Sequence, residues 1–403
     1  MSASGASPGS LHRAARFARA TALLGTTRDI VSERPAEREP AWVEARRWGP
    51  FLAGLDERRL DDLERRGLAA AADDLNGAPN DLRELAAEVR EVTSFALPFA
   101  GDGQDVDARR ASIRKRSQVA AFAELVRPLL PGIGRVIDVG SGHGHLTRHL
   151  ARQLDVPVEG WEIDEARVAV ATTLPAAEAT TFRGLDVRDA LGELGSADLV
   201  IGLHACGELA DNAVRAAARA GASVAIVGCC LQKRRGERLP TSHVDARPLS
   251  RDVLGLGNVA LGDRGVEEPL RVRLRSRENR IALRLVLEAS GVPTLPGEEM
   301  RGLNRRRATG SLDDLVADCF AARGLPPPSP ALVAAEATLA TEIHARRRRW
   351  DLPRTMLGRL IEVWVAADRA AALAETGHEA DVRLAFDAAE SPRNLAVIAR
   401  RTR

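Results

Sequence analysis

The sequence contains no tyrosine, and its only lysines are Lys115 and Lys233. Arginine therefore supplies almost all of the positive charge in a chain of 403 residues whose formal net charge is only +2. Because lysine is so rare, the many arginines are not in themselves evidence of nucleic-acid binding. The small net charge excludes attraction to an anionic polymer through the field of the whole molecule, so any such contact has to come from local patches.

Cysteine and long apolar runs are scarce as well. The four cysteines are too few and too irregularly spaced for a disulfide framework, which predicts reduced thiols. No stretch approaches the roughly 18 consecutive apolar residues of a membrane span. The first 28 residues carry no acidic side chain, as in a mitochondrial presequence, but an Arg/Ala-rich leader without a targeting role is the favoured interpretation. We therefore expect a cytoplasmic protein without membrane contact.

Composition and periodicity change along the chain and indicate four regions. Apolar residues recur at helical spacing over residues 42–68 and 82–92, whereas residues 326–330 are rich in proline and linker-like. The predicted regions are a helical N-terminal region at 1–105, an α/β core at 106–231, an insertion at 232–355 and a last helix with two strands at 356–403 that completes the core.

Short apolar runs alternate with helical segments in the second region, which is typical of a parallel sheet with crossover helices. The predicted strands are 135–139, 158–163, 181–185, 199–203 and 224–228. After a predicted helix at 357–374, two more apolar runs at 381–386 and 395–399 flank a turn. The pattern predicts an α/β fold with a Rossmann-like, doubly wound sheet.

A glycine-rich segment follows the first predicted strand, with glycines at Gly140, Gly142 and Gly144. Glycines at this spacing allow a tight turn whose backbone a ligand can approach, and the amides of the next helix point at a polar or anionic group. Glu162 ends the second strand, where a carboxylate accepts both hydroxyls of a ribose, and Asp186 follows the third strand, where it meets an adenine amino group. The motif predicts a nucleoside-containing cofactor.

Two cofactors fit a glycine-rich segment of this kind. An NAD-dependent oxidoreductase has a similar fingerprint followed by an acid. The Gly-x-Gly-x-Gly spacing, with Asp138 two residues ahead of Gly140, favours S-adenosylmethionine, as does the strand, turn and strand at the end of the chain. The sequence therefore predicts a class I S-adenosylmethionine-dependent methyltransferase, with an oxidoreductase or a non-catalytic cofactor-binding scaffold as the alternatives.

Several segments carry a resemblance to a known family. Residues 138–146, 202–207, 229–230 and 391–395 resemble the methyltransferase-like protein 25 family and, more distantly, the eukaryotic tRNA acceptor-stem 2'-O-methyltransferases. The family often has His-Glu where this chain has Ser117-Gln118, so no role is carried over to that pair. The resemblance implies S-adenosylmethionine as the cofactor and tRNA or rRNA as the acceptor. The expected cofactor-binding residues are Lys115, Asp138, Gly140, Ser141, Gly142, Gly144, Glu162 and Asp186.

The candidate reaction centre lies after the fourth and fifth strands. Because these strands are neighbours in a sheet of this type, His204, Cys206, Cys229 and Cys230 are expected to share one small space. His204 is the predicted general base. Packing roles for the histidine and the cysteines, a cysteine nucleophile and a zinc site all remain as alternatives. No metal is predicted, since adjacent cysteines seldom both reach one ion.

Four basic clusters could contact phosphates, although a solvated surface is the usual explanation of such clusters. They lie at 114–116, 233–235, 305–307 and 346–349. His145 and His149 stand one helical turn apart and are predicted to face solvent. With aromatic residues at only 3% there is little basis for a base-stacking platform. RNA remains the predicted acceptor, ahead of a protein or a small molecule, and DNA is not expected.

Overall fold

The computed structural model describes residues 8–35, 38–95, 112–175, 179–189, 192–234, 249–258, 267–388 and 390–401. Seven strands form one central sheet. They are β1 (Arg135–Val139), β2 (Val158–Glu162), β3 (Thr180–Gly184), β4 (Asp198–Cys206), β5 (Ser223–Cys229), β6 (His378–Leu384) and β7 (Leu395–Arg401). The strand order is β3-β2-β1-β4-β5-β7-β6.

The predicted doubly wound sheet is confirmed. Strands β1 to β5 pair in parallel, and β7 runs antiparallel to both β5 and β6. β4 continues past the predicted end at residue 203 because a register shift between Leu203 and Ala205 lets its pairing with β5 resume. The carboxyl ends of β4 and β5 and the start of β7 consequently meet at one edge of the sheet.

Fifteen α-helices are described in the ranges given above. They are α1 (Pro8–Thr26), α2 (Arg28–Ser32), α3 (Ala41–Ala45), α4 (Gly49–Ala53), α5 (Glu57–Ala71), α6 (Asn80–Thr93), α7 (Ile113–Val126), α8 (His145–Gln153), α9 (Glu165–Thr173), α10 (Glu208–Ala220), α11 (Arg251–Leu256), α12 (Glu267–Ala289), α13 (Leu312–Ala322), α14 (Pro330–Met356) and α15 (Gly358–Glu375). None of these helices is long and apolar enough to cross a bilayer.

Both faces of the sheet are buried, as the continuous apolar character of its inner strands requires. Successive residues of β1 point to opposite faces. Val136 packs with α7 and α8, whereas Ile137 belongs to the core formed with α10, α15 and the N-terminal helices. The N-terminal region is joined to that core by α1, where Phe17 stacks on Trp364 of α15 with ring centroids 6.3 Å apart.

The helices of the predicted insertion have a small apolar core of their own, contributed by α12, α13 and α14. The proline-rich segment leads directly into α14, whose first residue is Pro330, a position where proline loses no helical hydrogen bond. The prediction that residues 346–349 face phosphate or solvent is wrong for Arg348. That side chain is buried and forms ion pairs with Glu57, Asp61 and Glu64 of α5.

Candidate functional site

The glycine-rich segment forms a turn between β1 and α8. Gly140, Gly142 and Gly144 have φ of 70°, 57° and 71°, a left-handed conformation that favours glycine. A Cβ on Gly140 would lie 2.8 Å from Leu209 Cδ2, and one on Gly144 would lie 2.3 Å from Phe182 Cε1. A Cβ on Gly142 would meet nothing within 4 Å. Space lies open beside the middle of the turn.

Glu162 connects this turn to the end of β2. The side chain is buried, and Oε2 accepts from the Gly142 amide at 2.9 Å while Oε1 accepts from the Asp164 amide at 3.1 Å. An ionised carboxylate has about four lone-pair sites, and these two bonds occupy two of them. Arg167 Nη1 lies 3.8 Å from Oε2, an ion pair beyond hydrogen-bond distance. Glu162 therefore fixes the turn and keeps the capacity to accept two ligand hydroxyls.

Asp138 lies on β1 beneath the turn and is only 3% exposed. Burial raises the pKa of its carboxyl to about 7, although a hydrogen bond from Thr147 Oγ1 at 2.7 Å and the charge of Lys115 act in the opposite direction. Lys115 lies on α7 and has its own pKa lowered by desolvation. The structure thus brings these two predicted cofactor residues close enough for their charges to interact.

Ser141 and Asp186 complete the predicted cofactor set. Ser141 Oγ is buried and has no hydrogen-bond partner among the described residues. Asp186 follows β3, as predicted, but its carboxylate accepts from the Arg188 amide and from Arg188 Nε, each at 2.9 Å. These hydrogen bonds hold the pKa of Asp186 below its ordinary value. No sequence pattern had indicated Arg188 as its partner.

His204 occupies the register shift in β4, with φ of 64°. Its Nε2 is 2.8 Å from Gln118 Oε1. Gln118 Nε2 donates to the Glu390 carbonyl at 2.7 Å, so Oε1 is the atom that faces the imidazole and accepts a proton from Nε2. This arrangement assigns the Nε2–H tautomer and leaves the lone pair on Nδ1.

The surroundings of His204 favour the neutral imidazole. Burial lowers its pKa to about 4, and the positive charges of Arg114, Lys115 and Arg393 act in the same direction. The ring also lies 6.1 Å from that of Phe386, centroid to centroid. The structure therefore places a neutral histidine among three cations.

The structure brings the three expected cysteines together, as the sequence predicts. Cys206 Sγ and Cys229 Sγ are 3.0 Å apart, and the Cys229 thiol donates to the His204 carbonyl at 3.1 Å. The three sulfur atoms, including that of Cys230, lie within 4.8 Å of one another. When the single S–H of Cys229 points to Cys206 instead, this hydrogen bond lowers the pKa of Cys206 to about 6, and the pKa values of the other two thiols are raised.

The backbone at the end of β5 brings the side chains of two adjacent cysteines to one point. Neighbouring side chains of a strand point to opposite faces. β5 ends at Cys229, however, and Cys230 adopts a left-handed conformation with φ 48° and ψ 52°. This turn of the backbone directs both thiols toward Cys206.

A buried ion-pair network lies beside the cysteines, and it was not predicted. Asp211 accepts from Arg369 Nε at 2.8 Å and from Arg234 Nε at 2.7 Å. Arg369 also donates to the Gly207 carbonyl at 3.2 Å. Because a Cβ on Gly228 would lie 2.3 Å from Arg369 Nη1, this guanidinium packs directly on the backbone before Cys229. Arg234 is therefore a buried member of an ion-pair network and not a surface cation. Arg235 of the same predicted basic cluster lies outside the described residues.

The prediction that His145 and His149 face solvent is wrong. Both side chains are buried, with 6% and 2% exposure. They lie on α8, which is covered by α7 on one side and by the sheet on the other, and seven of its nine residues are buried. Helical spacing alone does not show how many sides of a helix are covered.

A cavity of about 320 Å³ opens between the N-terminal helices and the connection from β6 to β7. It lies at the edge of the sheet where β4 and β5 end, and Asp387 in its wall follows Phe386, whose ring faces His204. Its polar lining consists of Arg90, Thr93, Ser94, Arg359, Asp387 and Asn394.

Comparison with known proteins identifies a family for the region that contains β1 to β5. Residues 114–237 match the family model described as a methyltransferase domain. The ajmaline N-methyltransferase of Rauvolfia serpentina is 30% identical over 145 residues, which cover 34% of this chain and 50% of that enzyme. The chain thus spans about half the length of this curated relative.

Two solved structures are similar to part of the chain. The TehB-like SAM-dependent methyltransferase of Corynebacterium glutamicum is 18% identical over 26% of this chain and 60% of that one, with a TM-score of 0.23. The sugar N-methyltransferase KedS8 of Streptoalloteichus is 31% identical over 28% of this chain and 49% of that one, with a TM-score of 0.23.

The donors and acceptors around the glycine-rich turn fit S-adenosylmethionine. Glu162 keeps two acceptor sites, Ser141 Oγ lacks a partner among the described residues, and Asp138 and Lys115 supply a carboxyl group and an ammonium group. Residues 114–237, which match the methyltransferase domain, contain β1 to β5, and β6 with β7 completes the class I Rossmann-like sheet. S-adenosylmethionine is the cofactor of this fold.

Proposed function

We propose that the protein transfers a methyl group from S-adenosylmethionine to RNA. The methyltransferase part of this proposal is supported by the match over residues 114–237, which contain the glycine-rich turn, Glu162, His204 and the cysteines. The cofactor supplies a methyl group that is bonded to a sulfonium sulfur. Once the methyl group has been transferred, the rest of the cofactor is released as a neutral thioether. The chain's own residues then have to hold the cofactor, orient the acceptor and remove its proton.

The residues around the turn hold the cofactor in this proposal. The two free acceptor sites of Glu162 take the ribose hydroxyls, and the unpartnered Ser141 hydroxyl gains a partner. Asp138 and Lys115 match the ammonium and carboxylate of the methionine moiety in sign. For Asp186 to meet the adenine amino group, its carboxylate has to bind that group in addition to Arg188.

His204 takes the acceptor's proton in this proposal. Its Nδ1 carries the lone pair because Gln118 accepts from Nε2, and its backbone lies where β4 ends beside β5. A base within hydrogen-bond reach of the reacting group contributes about 100- to 10,000-fold to a rate. Cys206, Cys229 and Cys230 line the same space beside it.

The observation that favours RNA is the positive charge around His204. Arg114, Lys115 and Arg393 all act on the imidazole, in a chain whose net charge is only +2. A local concentration of cations attracts the phosphates of a polynucleotide. Arg305 and Arg306 are exposed on the insertion and offer two further cations for phosphates. The family resemblance of residues 202–207 and 229–230 points to the same acceptor.

The cavity supports a second candidate acceptor, a small molecule. Its volume of about 320 Å³ lies at the lower end of the range of roughly 300 to 1,000 Å³ for small-molecule sites. Asp387 in the cavity wall is the neighbour in sequence of Phe386, whose ring lies 6.1 Å from that of His204, centroid to centroid. All four cysteines are free thiols, which supports a reducing compartment, the cytoplasm, as the place of reaction.

The test is transfer of a labelled methyl group from S-adenosylmethionine to fractionated RNA, protein and small-molecule extracts. We expect label in RNA, at a level that falls in the His204→Asn variant. Label confined to small molecules would favour the second candidate instead. Cofactor binding without transfer to any fraction would indicate a non-catalytic scaffold.

A further inference from the structure

Three sulfur ligands converge at the carboxyl ends of β4 and β5. We propose that Cys206, Cys229 and Cys230 together bind one zinc ion, with a fourth coordination position open beside His204. The inference does not depend on the identity of the methyl acceptor. It concerns residues that the proposed methyl transfer uses only as the lining of the site.

The distances between the sulfur atoms suit such an ion. A tetrahedral zinc ion with Zn–S bonds of about 2.3 Å holds its sulfur ligands about 3.8 Å apart. Cys206 Sγ and Cys229 Sγ are 3.0 Å apart, and all three sulfur atoms lie within 4.8 Å of one another. Movements of about 1 Å, within the range of small side-chain rotations, bring all three to ligand distance. In the part of the chain that the structure describes, this is the one group of three such ligand atoms.

The backbone is held in uncommon conformations to bring these thiols together. Among the described residues, only Arg47, His204 and Cys230 are non-glycine residues with positive φ. Of these three, Cys230 belongs to the cluster and His204 lies two residues before Cys206. His204 forms the register shift that precedes Cys206, and Cys230 turns back beside Cys229. A left-handed conformation is unfavourable for a residue with a Cβ, and strain of this kind concentrates at functional sites.

The kind of ligand decides which metal fits. Three sulfur donors without a carboxylate select a thiophilic ion and disfavour magnesium or calcium. Lys233 places positive charge near Cys206 and favours its thiolate. Three protein ligands with an open fourth position are the arrangement of catalytic zinc sites, whereas structural sites have four.

Binding changes no oxidation state. Three Zn–S bonds form, the protons still carried by the three thiols leave to solvent, and the Cys229 S–H···O bond to the His204 carbonyl is lost. Affinity should therefore fall at acidic pH, as it does for thiolate ligands in general.

The experiment measures metal rather than activity. The full-length chain is purified under reducing conditions, and its zinc is determined by mass spectrometry of the elements and by competition with a chromophoric chelator. We expect about one zinc per chain and a loss of affinity of at least about 100-fold in Cys206→Ser, Cys229→Ser and Cys230→Ser. Cys319→Ser, which changes a buried cysteine in the core of the insertion, is the matched control and should retain zinc.

Cobalt binding keeps the test decisive if a variant fails to fold. Co²⁺ added to the metal-free wild-type chain should give thiolate-to-cobalt charge-transfer bands in the near ultraviolet and tetrahedral bands in the visible, and zinc should displace both. Zinc well below one equivalent with three reactive thiols, copper in its place, or a Cys206–Cys229 disulfide in freshly purified protein would each overturn the proposal. Because none of these measurements involves methyl transfer, their failure is distinguishable from failure of the proposed function.

Discussion

His204 and Gln118 are separated by 86 residues in the chain, yet His204 Nε2 lies 2.8 Å from Gln118 Oε1. The amide is itself oriented by the bond from its Nε2 to the Glu390 carbonyl. One hydrogen-bond chain therefore runs from the connection between β6 and β7, through α7, to the candidate base at the end of β4. It determines which imidazole nitrogen is available to an acceptor.

The first prediction concerns His204 itself. His204→Asn should lower turnover by roughly 100- to 10,000-fold and leave cofactor affinity nearly unchanged, because asparagine has no comparable base. Asparagine tolerates positive φ, so this change avoids the backbone strain that alanine would introduce. Single-turnover methyl transfer and calorimetry provide the two readouts. Full activity of the variant would show that the protein catalyses the transfer by positioning the cofactor and the acceptor, without a general base.

The second prediction concerns the carboxylate that links the turn to β2. Glu162→Gln replaces one acceptor oxygen by an NH₂ group that faces either the Gly142 or the Asp164 amide donor. We expect cofactor affinity to fall by at least about tenfold, since a hydrogen bond to a charged group contributes about 1.5 to 3 kcal/mol.

Calorimetry with S-adenosylhomocysteine measures this loss. Glu84→Gln, an exposed change on α6, provides the control and should bind as the wild type does. Unchanged affinity in Glu162→Gln would assign the ribose to another residue, such as Asp164.

The third prediction is a pH dependence of stability. Burial raises the pKa of Asp138 in the folded protein to about 7, above its ordinary value of about 3.9 in an unfolded chain. Between these values the folded chain binds the additional proton, so the free energy of unfolding contributed by Asp138 falls as pH rises. The Asp138→Asn variant has no titrating group at this position, so its free energy of unfolding does not fall in this way. Its amide oxygen can still accept a hydrogen bond from Thr147.

In urea denaturation without cofactor, the free energy of unfolding of Asp138→Asn relative to that of the wild type should therefore rise by roughly 1 to 4 kcal/mol between pH 4.5 and pH 8. Asp155→Asn changes an exposed aspartate and should show no such gain. A constant difference between Asp138→Asn and wild type across this interval would show that Asp138 is ionised throughout.

The fourth prediction tests the acceptor. Arg305 and Arg306 are exposed, whereas Arg307 pairs with Asp318 at 2.7 Å. If RNA contacts this surface, the double change to glutamate should weaken RNA binding and reduce its salt dependence by about one released counterion per lost contact. The double variant Arg58→Glu, Arg83→Glu carries the same charge change on α5 and α6 and is the control. If the salt dependence of RNA binding has the same slope in the Arg305/Arg306 variant and in the wild type, the cluster is solvated surface that does not contact RNA.

Much of the core follows from local sequence. Alternating apolar runs and helical segments determine the sheet because a strand buried on both faces has to be apolar throughout. The glycine-rich turn is predictable since positive φ and close contacts at Gly140 and Gly144 exclude other side chains. Glu162 is predictable because the end of β2 follows from the same pattern.

The contacts that complete the site are not local, and sequence periodicity does not report them. Apolar spacing shows that a residue is buried but not which distant residue it meets. Gln118 with His204 and Arg369 with Asp211 are pairs of this kind. The left-handed conformation of Cys230 is likewise imposed by the tertiary structure, since a non-glycine residue does not favour it intrinsically.

The measurement that tests the central claim most directly is calorimetric titration of the purified chain with S-adenosylmethionine and, separately, with NAD. The glycine-rich turn, Glu162 and the matched methyltransferase domain predict binding of S-adenosylmethionine at micromolar concentration, about −8 kcal/mol, and no comparable binding of NAD. Micromolar binding of NAD without binding of S-adenosylmethionine would contradict the account.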